Sequence, residues 1–177
     1  MAYRNGVYAA FDGQGTTNPT LSDIKYYNLL KSWASGETFN YIDSHQKTRS
    51  VRDTSQAETL KRVLRERLSN SKVMLLILSE DTNYDRGFLN YEIEQALDNY
   101  KLPLIVAYTN TSPIIENQWA KLKKRWPKAL STRLNDTMNE KTLSVLHIPF
   151  TKQDIIAALS SMNVHNKVYL GTKLVLK

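Results

Sequence analysis

Two periodicities alternate along the first two thirds of the chain. Val7 to Phe11 is a short apolar run of strand type. After Asn18-Pro19, the stretch from Leu21 to Trp33 carries Tyr26, Leu29, Leu30 and Trp33 at helical spacing, which predicts a helix with those residues inward. Thr38 to Ile42 predicts a second strand. Thr54 to Leu68 predicts a helix burying Ala57, Leu60, Val63, Leu64 and Leu68, with Arg and Lys turned outward. Lys72 to Leu78 (KVMLLIL) is unbroken apolar sequence, the mark of a strand covered on both faces. Arg86 to Tyr100 predicts a third helix burying Leu89, Ile93, Ala96, Leu97 and Tyr100, and Leu102 to Tyr108 a fourth strand. Strands and helices alternating at this spacing predict a doubly wound parallel α/β sheet with helices on both faces.

Beyond Tyr108 the pattern loosens. Ile114 to Leu134 holds a basic helical stretch, WAKLKKRW, interrupted by Pro127. Leu143 to Phe150 predicts a fifth strand. Thr151 is placed to cap a last helix whose Ile155, Ile156, Leu159 and Met162 face inward. The tail KVYLGTKLVLK predicts a small hairpin about Gly171-Thr172. No linker or repeat divides the chain, so residues 1–177 read as one domain: a core over 1–110, and a completing strand, helix and C-terminal extension over 111–177.

Composition narrows the classes. With 41% hydrophobic and 23% charged residues, the 177-residue chain has the make-up of a folded domain able to bury a core unaided. Having no cysteine, it has no disulfide scaffold, thiol nucleophile or thiolate metal site, which fits a reducing compartment. MAYRNGVYAAF lacks the apolar run of a signal peptide, and no stretch reaches the ~20 apolar residues of a membrane span. A cytoplasmic location without membrane contact is expected. The 24 Lys and Arg outnumber the 17 Asp and Glu, leaving +7 and favouring anionic partners. The basic runs Lys61 to Arg67 and Lys121 to Arg125 come without a nucleic-acid-binding motif, so nucleic acid is not the expected partner.

In an open parallel sheet, ligands sit beyond the carboxyl ends of the strands where the strand order reverses. For the order 2-1-3-4-5 this selects Asp12 to Asn18 and Ser79 to Glu92. The first segment offers Gly13-x-Gly15 between strand and helix, compatible with close approach of a phosphate but also with a plain turn. In the second, Phe88 and Glu92 are four apart and share a helix face, with Glu92 at the edge of the buried stripe. An aromatic ring and a carboxylate there could grip a ribosyl group, the carboxylate accepting hydroxyls and stabilising an oxocarbenium-like state. The same spacing also fits a core edge beside a surface glutamate. His147 reads as a strand histidine satisfied by a neighbour. The three scattered histidines give no metal-ligand spacing, and no metal is expected.

These residues carry a family resemblance. Leu78-Ser79, followed by Phe88-Leu-Asn-Tyr-Glu92-Ile93, resembles the S…W-x-x-x-E-I signature of TIR domains. VMLLILSEDT…RGFLNYEIEQAL is similar to the TIR-like family that includes the TIR subunit of bacterial Thoeris anti-phage systems. The likeness spans roughly Tyr3 to Tyr108, with Phe88 where the family often has Trp. It implies a flavodoxin-like, TIR-like parallel sheet of five strands. It further implies cleavage of NAD at the nicotinamide–ribose bond, giving an ADP-ribose-derived signal, linear, cyclic or conjugated, that acts on an effector protein. NAD would be the substrate, and no cofactor is implied. Carried over, Glu92 is the catalytic carboxylate and Phe88 the ring on the nicotinamide side. By loop position Phe11, Asp12 and Ser79 border the nucleotide, as do Asp43 and Ser44 in the loop after the second strand. In that loop His45 is a further polar group, and Lys47, Arg49 and Arg52 could meet a pyrophosphate or a neighbouring subunit. A homo-oligomer is expected, because such sites are commonly completed by a second copy. The rival reading is a non-catalytic TIR-like interaction module, since fold alone does not imply function. A phosphoacceptor receiver domain is excluded by the single Asp12 after the first strand and by Ser79, not Asp, after the third.

Overall fold

A computed structural model describes residues 3–13, 20, 22–36, 41, 57–82, 88–111, 113, 116–136, 138, 141–165 and 171–174. Among these residues, five parallel strands form one sheet: β1 (Gly6–Ala10), β2 (Ser71–Leu78), β3 (Leu104–Tyr108), β4 (Ser144–Pro149) and β5 (Gly171–Leu174), in that spatial order. The register pairs Ala10 with Leu76, Leu78 with Tyr108, and Tyr108 with Pro149. The carboxyl ends of β2, β3 and β4 therefore finish level.

The helices divide between the two faces. On one lie α1 (Ile24–Ala34) and α6 (Lys152–Ser161), packed on Val7, Ala9, Val73, Leu75, Ile105 and Ile148 through Leu30, Ile155 and Leu159. On the other lie α2 (Ala57–Ser69), α3 (Leu89–Glu94), α4 (Trp119–Lys123) and α5 (Lys128–Leu134). The alternation of strand side chains makes this division possible: Met74, Leu76 and Leu78 point to the second face, Val73 and Leu75 to the first. Burying Leu89 and Ile93 against the sheet is worth ~1.5–3 kcal/mol each and holds α3 in place. The chain leaves β1 through a helix on one face and β2 through a helix on the other, so the change of face falls between these two strands.

Thr151 caps α6 as expected, its Oγ1 accepting from the Asp154 N–H at 3.1 Å. Pro127 ends the basic stretch and opens α5 at its N-cap. α3 is shorter than its periodicity suggests. It passes into a π-helical turn, Gln95–Asn99, and closes with the Tyr100 and Leu102 N–H groups bonded to the Gln95 and Ala96 carbonyls. Leu29 is 41% exposed, against expectation, because α1 turns Leu30 to the sheet and leaves its neighbour at the margin of the stripe.

The expected tail hairpin is corrected. Gly171 and Thr172 lie in β5 and pair in parallel with Ser144 and Val145. The open edge of β4 offers a row of unpaired backbone groups, and a Gly-Thr tip lacks the turn chemistry to compete with it. The expected strand Thr38 to Ile42 lies outside the described residues except for Tyr41, which packs on the α1–α6 face. No described helix is long and apolar enough to cross a membrane.

Candidate functional site

β1 presents Tyr8 to the α3 side, and there its hydroxyl meets Glu92 of α3. The Tyr8 OH donates to Glu92 Oε1 at 2.5 Å across 84 positions of sequence. Tyr8 is fully buried. Glu92 is half-buried as a residue, and its carboxyl is desolvated. Burial pushes that carboxyl up from 4.5 to about 7, against the lowering effects of the Tyr8 hydrogen bond and the Arg67 charge. Burial and the neighbouring Glu92 also hold the Tyr8 phenol well above its usual value, so Tyr8 is the proton donor of the pair. A carboxyl poised at about 7 exchanges between its charged and neutral forms at neutral pH, so it can take up or release a proton there, and its ionised form can stabilise positive charge.

Phe88 is the N-cap residue of α3, and its carbonyl accepts the Glu92 N–H at 2.8 Å, placing the two one helical turn apart. The Phe88 ring is partly exposed and meets Tyr91 edge-on, centroids 6.5 Å apart at 74°. The Tyr91 hydroxyl accepts from Arg65 of α2 at 2.9 Å, and Lys61 lies over the Tyr91 ring. Basic side chains thus crowd the outer side of the helix turn that carries Glu92.

Across the carboxyl end of the sheet lies a second polar cluster. Asp12 follows β1 and is buried; its carbonyl accepts the Asp23 N–H at 3.4 Å. Asp23 stands at the N-cap of α1 but makes no side-chain cap. Its carboxylate turns instead toward the loop after β2, where Thr82 Oγ1 donates to Oδ2 at 3.0 Å. Thr82 in turn accepts the Ser79 N–H at 2.7 Å, with the Ser79 hydroxyl 3.1 Å away. Burial raises the Asp23 carboxyl above its usual range, the hydroxyls of Ser79 and Thr82 oppose this, and Asp12 adds to it. A shallow cleft of about 160 Å³ opens here, lined by Ser22, Asp23, Tyr26, Ser79, Asp81 and Asn110 among others. Ser22 and Asn110 hold φ of 58° and 54°, left-handed backbone at two corners of the cleft. Phe11, just past β1, stacks on Tyr27 of α1, centroids 4.9 Å apart.

Of the residues expected to form the site, Glu92 and Phe88 share a turn of α3, while Phe11, Asp12 and Ser79 follow the ends of β1 and β2. Asp43 and Ser44 lie outside the described residues, as do His45, Lys47, Arg49, Arg52 and Gly15. Tyr8, Asp23 and Thr82 escaped the sequence reading. The alternation within VYAAF assigns Tyr8 to the face opposite Val7, which was a usable signal. Nothing local marks Asp23 or Thr82, which meet 59 positions apart.

His147 is fully buried, its Nδ1 2.8 Å from the Tyr108 hydroxyl, which also accepts the Trp126 indole N–H at 2.7 Å. Burial pulls it down to about 3, so the ring is neutral, and it is a core residue as expected. Among the described residues no cluster of His, Asp and Glu could hold a metal ion.

Comparison with known proteins places the chain in a family. Residues 8–114, more than half of the chain, match the family model described as the TIR-like domain of the Thoeris protein ThsB. Among solved structures, the fold is similar to that of a conserved protein from Enterococcus faecalis V583. That likeness has a TM-score of 0.55 at 12% identity and covers 88% of this chain and 97% of the other. At that identity it speaks for the fold alone.

Proposed function

The chain belongs to the TIR-like domain family of the Thoeris protein ThsB, a defence-related family, and we propose that it cleaves NAD at the nicotinamide–ribose bond. The observation that carries this reading is Glu92: a carboxyl on the first turn of α3, hydrogen-bonded by the buried Tyr8 hydroxyl, raised by burial, and one turn from the partly exposed ring of Phe88. In the ionised form it would accept the ribose hydroxyls and stabilise positive charge as nicotinamide leaves C1′ of the ribose. Water, or a nucleophile within the same nucleotide, then takes the vacated carbon. With water, NAD and H₂O give nicotinamide, ADP-ribose and a proton. Phe88 would flank the nicotinamide, and Phe11, Asp12 and Ser79, with Asp43 and Ser44, would border the rest of the nucleotide. The product would act as a signal on an effector protein, in the cytoplasm, and a second copy of the chain would complete the crevice.

The test is incubation of concentrated protein with NAD, followed by chromatography for nicotinamide and ADP-ribose species, with Glu92→Gln as control. Nicotinamide release that depends on Glu92 and rises more than linearly with protein concentration supports the enzyme and its assembly. Absence of release across protein concentration and pH leaves the non-catalytic interaction module as the better reading.

A further inference from the structure

Glu92 is useful to the proposed reaction only if its carboxylate is both fixed and ionised, and α3 alone secures neither. The helix is short, its N-cap residue supplies no side-chain cap, and a free glutamate rotates about three bonds. Tyr8 approaches from a different element. Its backbone is locked by pairing with Met74 in β2 and its side chain is wholly buried, so the phenol has little freedom of its own.

We infer that Tyr8 is a positioning residue for Glu92: its hydroxyl fixes Oε1 and stabilises the charged carboxylate, leaving Oε2 for the substrate. A phenol O–H that donates to a carboxylate binds its charged form more strongly than its neutral one. Among the described residues, the charged and titratable groups that face the carboxyl are Tyr8 from β1 and Arg67 from α2, and both favour the ionised form against burial. Tyr8 is the one in hydrogen-bond contact. Its phenol stays protonated throughout the accessible pH range, so it remains a donor whatever Glu92 does. The consequence of this bond for turnover rests on the NAD-cleaving role proposed above; the hold on the carboxylate does not.

Two measurements on the full chain separate these. The first follows the Glu92 side-chain carboxyl by carbon NMR against pH, its signal assigned by loss in Glu92→Gln, in the native protein and in Tyr8→Phe. The second records nicotinamide release from NAD between pH 5.5 and 9. Loss of a hydrogen bond to the charged form should raise the Glu92 midpoint by about one unit. From a start near 7, that lowers the ionised fraction about fivefold at pH 7 and by only about a tenth at pH 9. Tyr8→Phe should therefore be slow at neutral pH and nearly restored at alkaline pH. An unmoved midpoint overturns the assignment, as does activity lost equally at every pH, which marks a packing defect. A shifted midpoint in a protein that never cleaves NAD upholds the role of Tyr8 and defeats the NAD reading. Should Tyr8→Phe fail to fold, fluorotyrosine at position 8 keeps the shape with a stronger donor. It should move the Glu92 midpoint down, and no movement overturns the assignment equally.

Discussion

Replacing Glu92 by Gln keeps the shape and the contact with Tyr8 while removing the charge, and its effects on stability and activity should run in opposite directions. The folded carboxyl titrates at about 7, against 4.5 when free. Between those values the folded chain holds a proton that the unfolded chain has released, so stability falls as pH rises from 4.5 to 7, and the full cost stands above 7. At ~1.36 kcal/mol per unit the cost is about 3 kcal/mol, an upper bound because Glu92 keeps some access to solvent. Gln carries no such cost. The variant should match the native protein near pH 4.5 and exceed it above pH 7 by up to about 3 kcal/mol, roughly 6–12 °C in Tm for a chain of this length. Over the same range NAD cleavage should fall about 100-fold or more, since the lost charge acts in the transition state. Urea unfolding from pH 4.5 to 8, alongside nicotinamide release, measures both. A stability difference that does not widen with pH shows that the Glu92 carboxyl is not desolvated, and cleavage at the native rate removes it from the reaction.

Phe88→Ala should reduce kcat/KM about 2- to 12-fold, the worth of ~0.5–1.5 kcal/mol of ring contact, with Phe88→Trp tolerated or improved; equal rates in all three proteins return Phe88 to the core. Thr82→Val strips an acceptor from the Ser79 N–H and a donor from the Asp23 carboxylate, both buried, and should cost about 2 kcal/mol or more in urea unfolding. His147 titrates at about 3 when folded against 6.5 when free, so the unfolded chain takes up the proton first and stability drops as pH falls from 6.5 toward 3. His147→Leu should flatten that limb of the stability profile, and an unchanged acid limb refutes the burial argument.

Much of this was legible in the chain. KVMLLIL, LPLIVAY and LSVLHIPF each form a parallel strand because both faces are covered and every position must be apolar or satisfied. Glu92 was found because helical spacing places it at the edge of the stripe made by Leu89, Ile93 and Leu97. Periodicity reports which side a residue takes and not what meets it there. Thus spacing alone fits Glu92 as a solvated surface carboxylate too, and the family resemblance is what singles it out. Leu29 and the tail were misread for a related reason: an apolar residue at the margin of a stripe, or an apolar run beside a glycine, has no local feature that fixes its neighbour.

The order and spacing of apolar positions by themselves determined the parallel sheet, its layers, the Thr151 cap and the break at Pro127, since each depends on residues within a turn or a strand. What Glu92 is chemically was decided only by the tertiary structure. The rise to about 7 comes from the core that encloses the carboxyl, and Tyr8 from β1 and Arg67 from α2, converging on it from other elements, hold that rise in check. The Asp23–Thr82–Ser79 chain likewise exists only once α1 and the loop after β2 meet at the end of the sheet. Desolvation and charge act through space, and residues 84 positions apart become partners when β1 and α3 are packed together.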